Sequence, residues 1–436
     1  MPRLLKSSAP ARHRTRHLRD LNARPILELL EHRSLLSVLL LGSAGTATYS
    51  AGAGVANRLT VSVAGANYTF NDTAETISLS GPGSGACLGG GTNTVTCPDA
   101  SINSLSVFLG DQNDSLVATS ATDPVTANGG PGNDLLQGAT GVANSLAGEE
   151  GSDTLIGGNA GDFLSGGPGS DGDVLAGGDG TDTVVETANV DFVLTNTTLT
   201  GLGSDGLVEI EQAILTGGAG DNTLNASAFT LGPVILKGGA GNDILLGGSA
   251  NDVLSGDLGN DTLNGNGGVD VADFSHSLRK VQVNLLRGTA KGEGTDSLAL
   301  IEAVLGSDFN DKLTGDLGNN RLDGGGGNDT INGGGGNDTL LGSAGNDKLV
   351  GGDGDDSLDG GIGADKLSGG NGNDTLIGAA GDDVLLGGIG NDSLVGGTEN
   401  DSLVGDAGAD QLLGGPGLDT LLSDADDTVI DPGPQP

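Results

Sequence analysis

Gly369-Gly-Asn-Gly-Asn-Asp-Thr-Leu-Ile377 runs without a gap into Gly378-Ala-Ala-Gly-Asp-Asp-Val-Leu-Leu386 and Gly387-Gly-Ile-Gly-Asn-Asp-Ser-Leu-Val395. Thirteen such blocks follow one another from Gly306 to Leu422, nearly all reading G-G-x-G-x-D-x-U-x with U a large aliphatic residue. The sixth position is Asp311, Asn320, Asp329, Asp338, Asp347, Asp356, Asp365, Asp374, Asp383, Asp392, Asp401, Asp410 and Asp419. Only Asn320 departs from aspartate.

A period this short defines a solenoid whose units are stable only when stacked. The glycine-rich first six residues turn sharply, and the last three alternate out, in, out as a short strand. The eighth residue, from Leu313 and Leu322 through Ile331 to Leu421, therefore points inward. That core is thin: a buried leucine contributes roughly 1.5 to 3 kcal/mol, while ordering each residue of backbone costs about 1 to 2 kcal/mol. Charge repulsion adds to the deficit, since residues 306 to 422 hold 21 Asp and Glu against Lys312, Arg321, Lys348 and Lys366. A cation between coils would remove the repulsion and tie turns together, and hard oxygen ligands select calcium over zinc or copper. Metal binding is then expected to be coupled to folding.

The nonapeptide resembles the RTX, or haemolysin-type, calcium-binding repeat. The resemblance implies an all-β chain forming a right-handed parallel β-roll, with two nonapeptides per coil and multiple Ca2+ ions between turns of neighbouring coils. It further implies that Asp329 shares a site with Asp347, and Asp338 with Asp356, backbone carbonyls completing each shell. Asn320, across from Asp338, is expected to make a weaker site because ligand charge tunes affinity.

The long block at 306–422 is preceded by two shorter ones. The first, 129–185, is irregular, with Asp134, Asp153, Asp162, Asp171 and Asp182 in the liganding position. The second, 238–273, carries Asp243, Asp252, Asp261 and Asp270 after a degenerate unit, Gly217 to Asn225, with Asn222 in the ligand place. Between them, 186–237 combines inserted strands with that degenerate repeat, and 274–305 reads as further inserted strands. Residues 423–436 keep the period at first but lose the glycines, as a cap and tail.

Residues 54–128 have another texture. Leu59-Thr-Val-Ser-Val63 and Leu105-Ser-Val-Phe-Leu109 alternate like strands, which predicts either a small β domain or a non-standard start of the solenoid. Cys87 and Cys97, the only cysteines, flank a glycine-rich loop and read as a disulfide in preference to two free thiols. A disulfide points to an oxidising compartment.

The first 53 residues read as a basic arm and export signal. Eight of the 18 basic residues lie in the first 33, followed by Leu35-Leu-Ser-Val-Leu-Leu-Leu41 and then small residues. Leu30-Glu-His-Arg-Ser-Leu-Leu-Ser37 resembles the LEPR-XLL export segment, with His32 where that pattern has proline. This seven-residue stretch, six of them apolar, is too short for a transmembrane span, which takes about 20. The repeats reach Leu422, which leaves little chain for the C-terminal secretion tail that the RTX resemblance implies, so the N-terminal segment is the expected export element.

From Ser34 onward, 10 basic residues face 55 acidic ones, a formal charge of 10 minus 55, or −45. Such a body excludes nucleic-acid binding by phosphate neutralisation. Disorder or a halophile-type surface would not need glycine, aspartate and leucine at fixed phase. Catalysis has little to stand on: outside the basic arm the only histidine is His276, and no H-E-x-x-H, G-x-S-x-G or P-loop occurs. The third turn position shows no flat Thr or Asn ladder of the kind an ice-binding solenoid needs. The expected protein is an extracellular or cell-surface calcium-binding repeat protein, structural or adhesive and not an enzyme. The alternative is a secreted RTX-type hydrolase with an unrecognised site. Late in the array the ninth position turns apolar, at Ile377, Leu386, Val395, Val404, Leu413 and Leu422, which reads either as simple β propensity or as a contact site for self-association or a surface partner.

Overall fold

The computed structural model describes residues 37–41, 45–80, 87–169 and 171–430. Each nonapeptide of the long block gives one short strand, and strands two nonapeptides apart lie side by side. Thr330–Gly335 runs parallel to Lys348–Asp353 with Ile331 opposite Leu349. Ser357–Ile362 runs parallel to Thr375–Ala380 with Leu358 opposite Leu376. The register step, 349 minus 331, is 18, so two nonapeptides complete one coil. Alternate strands build two parallel sheets. The first carries Leu322, Leu340, Leu358 and Leu376, and the second Leu313, Ile331, Leu349 and Leu367; all are buried in one core. This is the all-β parallel roll expected from the period, and the described residues contain no α-helix.

The second residue of each turn commonly takes a left-handed backbone, as at Gly352 (φ 125°) and Gly370 (φ 123°), which suits glycine. Fourth-position glycines meet the turn above: a Cβ on Gly345 or Gly381 would collide with the carbonyl of Gly327 or Gly363.

Residues 54–128 are the start of the solenoid and not a separate domain. Leu105 lies parallel to Val125 in the first sheet, and Leu59 beside Leu116 in the second. An antiparallel run of Arg58–Ala64, Asn67–Asp72 and Thr94–Pro98 closes the N-terminal edge of the second sheet. Large side chains, Tyr49, Tyr68, Phe70 and Ile77, fill this end. Cys87 and Cys97 form the expected disulfide beside it.

One boundary needs correction. The segment read as the apolar and small-residue part of an export signal, up to residue 53, contributes two strands, Ser37–Leu41 and Thr46–Ser50. Ser37–Leu41 pairs with Ile77–Ser80, and Thr46–Ser50 with Ser104–Phe108, while Leu39 and Tyr49 are fully buried. An apolar run satisfies a sheet core as well as an export signal, so composition alone does not separate the two. The basic arm and the LEPR-XLL-like residues before Ser37 lie outside the described residues.

The two inserted stretches share one architecture. In the first, Ser204–Val208 pairs with Val174–Gly178, Thr198–Thr200 with Ser204–Val208, Phe192–Thr195 with Thr198–Thr200, and Phe192–Thr195 with Thr223–Ala228. In the second, Thr295–Ala299, Thr289–Lys291 and Gln282–Asn284 stand in the same order between Thr262–Asn264 and Lys312–Thr314. Each is an antiparallel meander set into the second sheet. The first sheet passes by with single parallel strands, Thr183–Thr187 directly on Gln212–Thr216 and Val271–Asp273 on Ala303–Leu305.

Candidate metal centre

Two residues before each inward leucine, the strand phase turns the sixth-position side chain into the space between coils. There the backbone N–H of one aspartate donates to Oδ1 of the aspartate one coil on: Asp329 to Asp347 at 2.7 Å, Asp338 to Asp356 at 2.8 Å, Asp356 to Asp374 at 2.8 Å. The pairs expected to share a site are thus neighbours along a ladder.

The second carboxylate oxygen is the informative one. Among the described residues, Oδ2 is buried with no hydrogen-bond partner at Asp134, Asp153, Asp162 and Asp182, at Asp243, Asp261 and Asp270, and at every ninth residue from Asp329 to Asp419. Asp114, which the sequence reading missed, is the same. Nineteen unpartnered carboxylate oxygens cannot be packing accidents, because leaving such a group unsatisfied costs about 1 to 3 kcal/mol, and more when charged. The turn glycines show what surrounds them. A Cβ on Gly333 would strike Asp338 Oδ2 and lie 2.8 Å from the carbonyl oxygen of Gly351, so a carboxylate oxygen and the next coil's carbonyl converge on the first glycine. The same holds at Gly351, Gly369 and Gly387. Hard oxygen donors from adjacent coils, with no group of three acidic, histidine or cysteine side chains among the described residues, fit a cation that takes carbonyls as well as carboxylates.

Burial raises these carboxyls well above the ordinary carboxylate range. Asp329 and Asp383 are pushed up to about 7, and Asp338, Asp347, Asp356 and Asp374 to about 6. Desolvation is the main cause, neighbouring carboxylates add to it in most, and the N–H bond to Oδ1 opposes it.

Not every expected residue falls in place as read. Asp171 is exposed, and Asp173 is buried in the ladder, receiving the N–H of Asp153 at 2.7 Å. Two extra residues in that turn shift the phase, which is fixed by Leu175 pointing inward and not by counting from the glycines. Asp252 and Asp311 have the right phase, but their Oδ2 accepts a backbone N–H, from Gly248 at 2.5 Å and Ser307 at 2.6 Å. Asp205 and Asp296, inside the meanders, also enter the ladders, accepting the N–H of Asp173 and Asp261. The missed positions share one signal: Asp114, Asp173, Asp205 and Asp296 each stand two residues before an inward leucine, Leu116, Leu175, Leu207 and Leu298. A second, exposed ladder was also missed. At the fifth position Asn310 Oδ1 accepts from Asn328 N–H, and Asn328 Oδ1 from Asn346 N–H, both at 2.9 Å, in the opposite sense to the aspartates.

A parallel roll whose turns bury stacked, unpaired carboxylates defines a calcium-binding repeat protein. The family model for the RTX calcium-binding nonapeptide repeat matches residues 139–172, 214–228, 237–272 and, in overlapping copies, 305–430. The chain carries RTX calcium-binding nonapeptide repeats through these segments. No curated protein matches it.

Proposed function

We propose that the chain is an exported calcium-binding protein of the cell surface or medium, whose roll folds as Ca2+ enters the ladders and then serves as a structural or adhesive element, not as an enzyme. The observation that carries this is the set of buried Oδ2 atoms without partners, repeated at coil spacing. The aspartates whose Oδ2 is buried without a partner, with first-glycine carbonyls such as that of Gly351, would hold the ions. Calcium supplies charge neutralisation and a link between coils when bound. The Cys87–Cys97 disulfide and the basic segment before Ser37 support an oxidising, exported setting. No helix among the described residues is long and apolar enough to cross a membrane. Leu386, Leu413 and Leu422, at the apolar ninth positions, are exposed and support self-association or a surface partner.

The test is circular dichroism of the full chain in chelator and across a calcium titration. The expected result is loss of β structure from the long block in chelator and its recovery with a midpoint on the order of 10⁻⁴ to 10⁻³ M calcium. Magnesium, which resists dehydration, is expected to substitute poorly. Full β structure in chelator would overturn folding coupled to calcium. Calcium-dependent adhesion and extracellular hydrolysis, assayed side by side, separate the adhesive reading from an enzymatic one.

A further inference from the structure

The sixth-position side chains form six ladders joined by N–H to Oδ1 bonds, and the first members are Asn57, Asn144, Asn222, Asp252, Asp311 and Asn320. Five of these six heads are closed within their own turn. The N–H of the turn's second residue donates to the side chain: Ala139 to Asn144 Oδ1 at 3.0 Å, Gly218 to Asn222 Oδ1 at 2.8 Å, Gly248 to Asp252 Oδ2 at 2.5 Å, Ser307 to Asp311 Oδ2 at 2.6 Å and Asp316 to Asn320 Oδ1 at 2.7 Å. The later members, such as Asp329, Asp338, Asp243 and Asp270, leave that oxygen without a partner.

The difference follows the backbone of the second residue. In the later turns it is left-handed, at Gly325 (φ 85°), Ser343 (φ 72°), Ala379 (φ 79°) and Asp406 (φ 67°) among others, with Gly158 before Asp162 the exception. Ala139, Gly218, Gly248, Ser307 and Asp316 are outside that region. Residue type does not decide it, because Ser307 and Ser343 are both serine, and Gly248 and Gly352 both glycine. Place in the stack does. Each head follows an irregular stretch instead of a nonapeptide turn: the N–H groups reaching Asp252 and Asp311 Oδ1 come from Val234 and Val281, and Asn320 Nδ2 faces the carbonyl of Glu302.

We propose that these five head turns are metal-free caps, and that calcium is held only from the second member of each of these ladders onward. The proposal rests on the calcium reading above. A side-chain oxygen that already accepts its own turn's N–H needs no cation, and that N–H aims its positive end where a cation would have to sit. Two heads come in succession, Asp311 and Asn320, so residues 306–320 form a calcium-independent seam in front of the eleven open carboxylates from Asp329 to Asp419.

The experiment counts calcium bound to the full chain after equilibrium dialysis, by elemental analysis. Asp252→Asn and Asp311→Asn are expected to keep the wild-type number, whereas Asp270→Asn and Asp329→Asn each lose at least one ion per chain. Asn320→Asp alone is expected to add none. Equal loss at Asp311 and Asp329, or a gain with Asn320→Asp, overturns the proposal. A wild-type chain that binds no calcium fails the calcium reading instead, and melting in chelator then decides the caps: Asp311→Asn should lower the melting temperature by removing a bonded oxygen, and Asp329→Asn should raise it by removing an unpartnered buried charge. The same sign at both positions overturns the caps. A chain with no melting transition in chelator needs calcium to fold, and the ion count is then decisive.

Discussion

At Gly369 there is no room for a methyl group: it would press on Asp374 Oδ2 and lie 2.6 Å from the carbonyl oxygen of Gly387. The backbone there is not left-handed, so this glycine is needed for space between ligand oxygens and not for its φ. Gly369→Ala is expected to cost about 1 to 3 kcal/mol, as overpacking does, and to show as a lower melting temperature in saturating calcium. The second position offers a contrast, since Ser343 and Ala379 already occupy its left-handed backbone. In the core, Leu376 is fully buried, and Leu376→Ala is expected to cost about 2 to 5 kcal/mol by the same measurement. At this scale the sequence was readable wherever a nonapeptide carried its aspartate and leucine in fixed phase. It misled at Asp171, where two added residues moved the ligand place to Asp173. It was silent on turn closure, because a backbone angle that differs between Ser307 and Ser343 leaves no trace in residue type.

The ladder is the element whose behaviour depends most on solvent. Without metal, its carboxyls hold protons up to about pH 6 or 7 when folded, as at Asp356 and Asp329, against about 3.9 for an unfolded aspartate. Between those values the folded chain binds more protons than the unfolded one. Its stability is therefore fully present at low pH and is lost as pH rises through 6 to 7. Calcium reverses this sense, because protons compete for the same oxygens. Circular dichroism in chelator is expected to show more β structure at pH 5 than at pH 7.5, while the calcium midpoint moves to higher concentration over the same drop in pH. A pH response of one sign in both conditions would contradict the ladder as the titrating element. The N-terminal elements have a different support. Their aromatic core and the disulfide, closing a loop of 10 residues, do not use calcium, and reduction is expected to cost roughly 2 to 3 kcal/mol there without moving the calcium midpoint of the long block. Alternating strands in 54–128 were legible, yet the choice between a small β domain and a start of the roll was not, since it rests on pairings such as Leu59 with Leu116, far apart in sequence.

Across the whole molecule, the two meanders have a geometric effect that neither has alone. Each puts three strands where a plain coil puts one, and both lie in the second sheet while the first sheet keeps single strands alongside. Two extra strand spacings of about 4.8 Å at each place make the second sheet longer by roughly 20 Å in total. Sheets of unequal length bonded face to face cannot stay straight, so the calcium-loaded protein should be bowed, with the second sheet on the outer side and both bends in one sense. Small-angle scattering of the full chain should then give a maximum dimension shorter than that of a straight rod of the same coil number; a rod-like distance distribution would mean that the meanders bulge outward and leave the axis unbent. A bow gives its two flanks different curvature, so the convex side exposes both meanders together, and any body that meets this protein from that side touches them before it reaches a calcium turn.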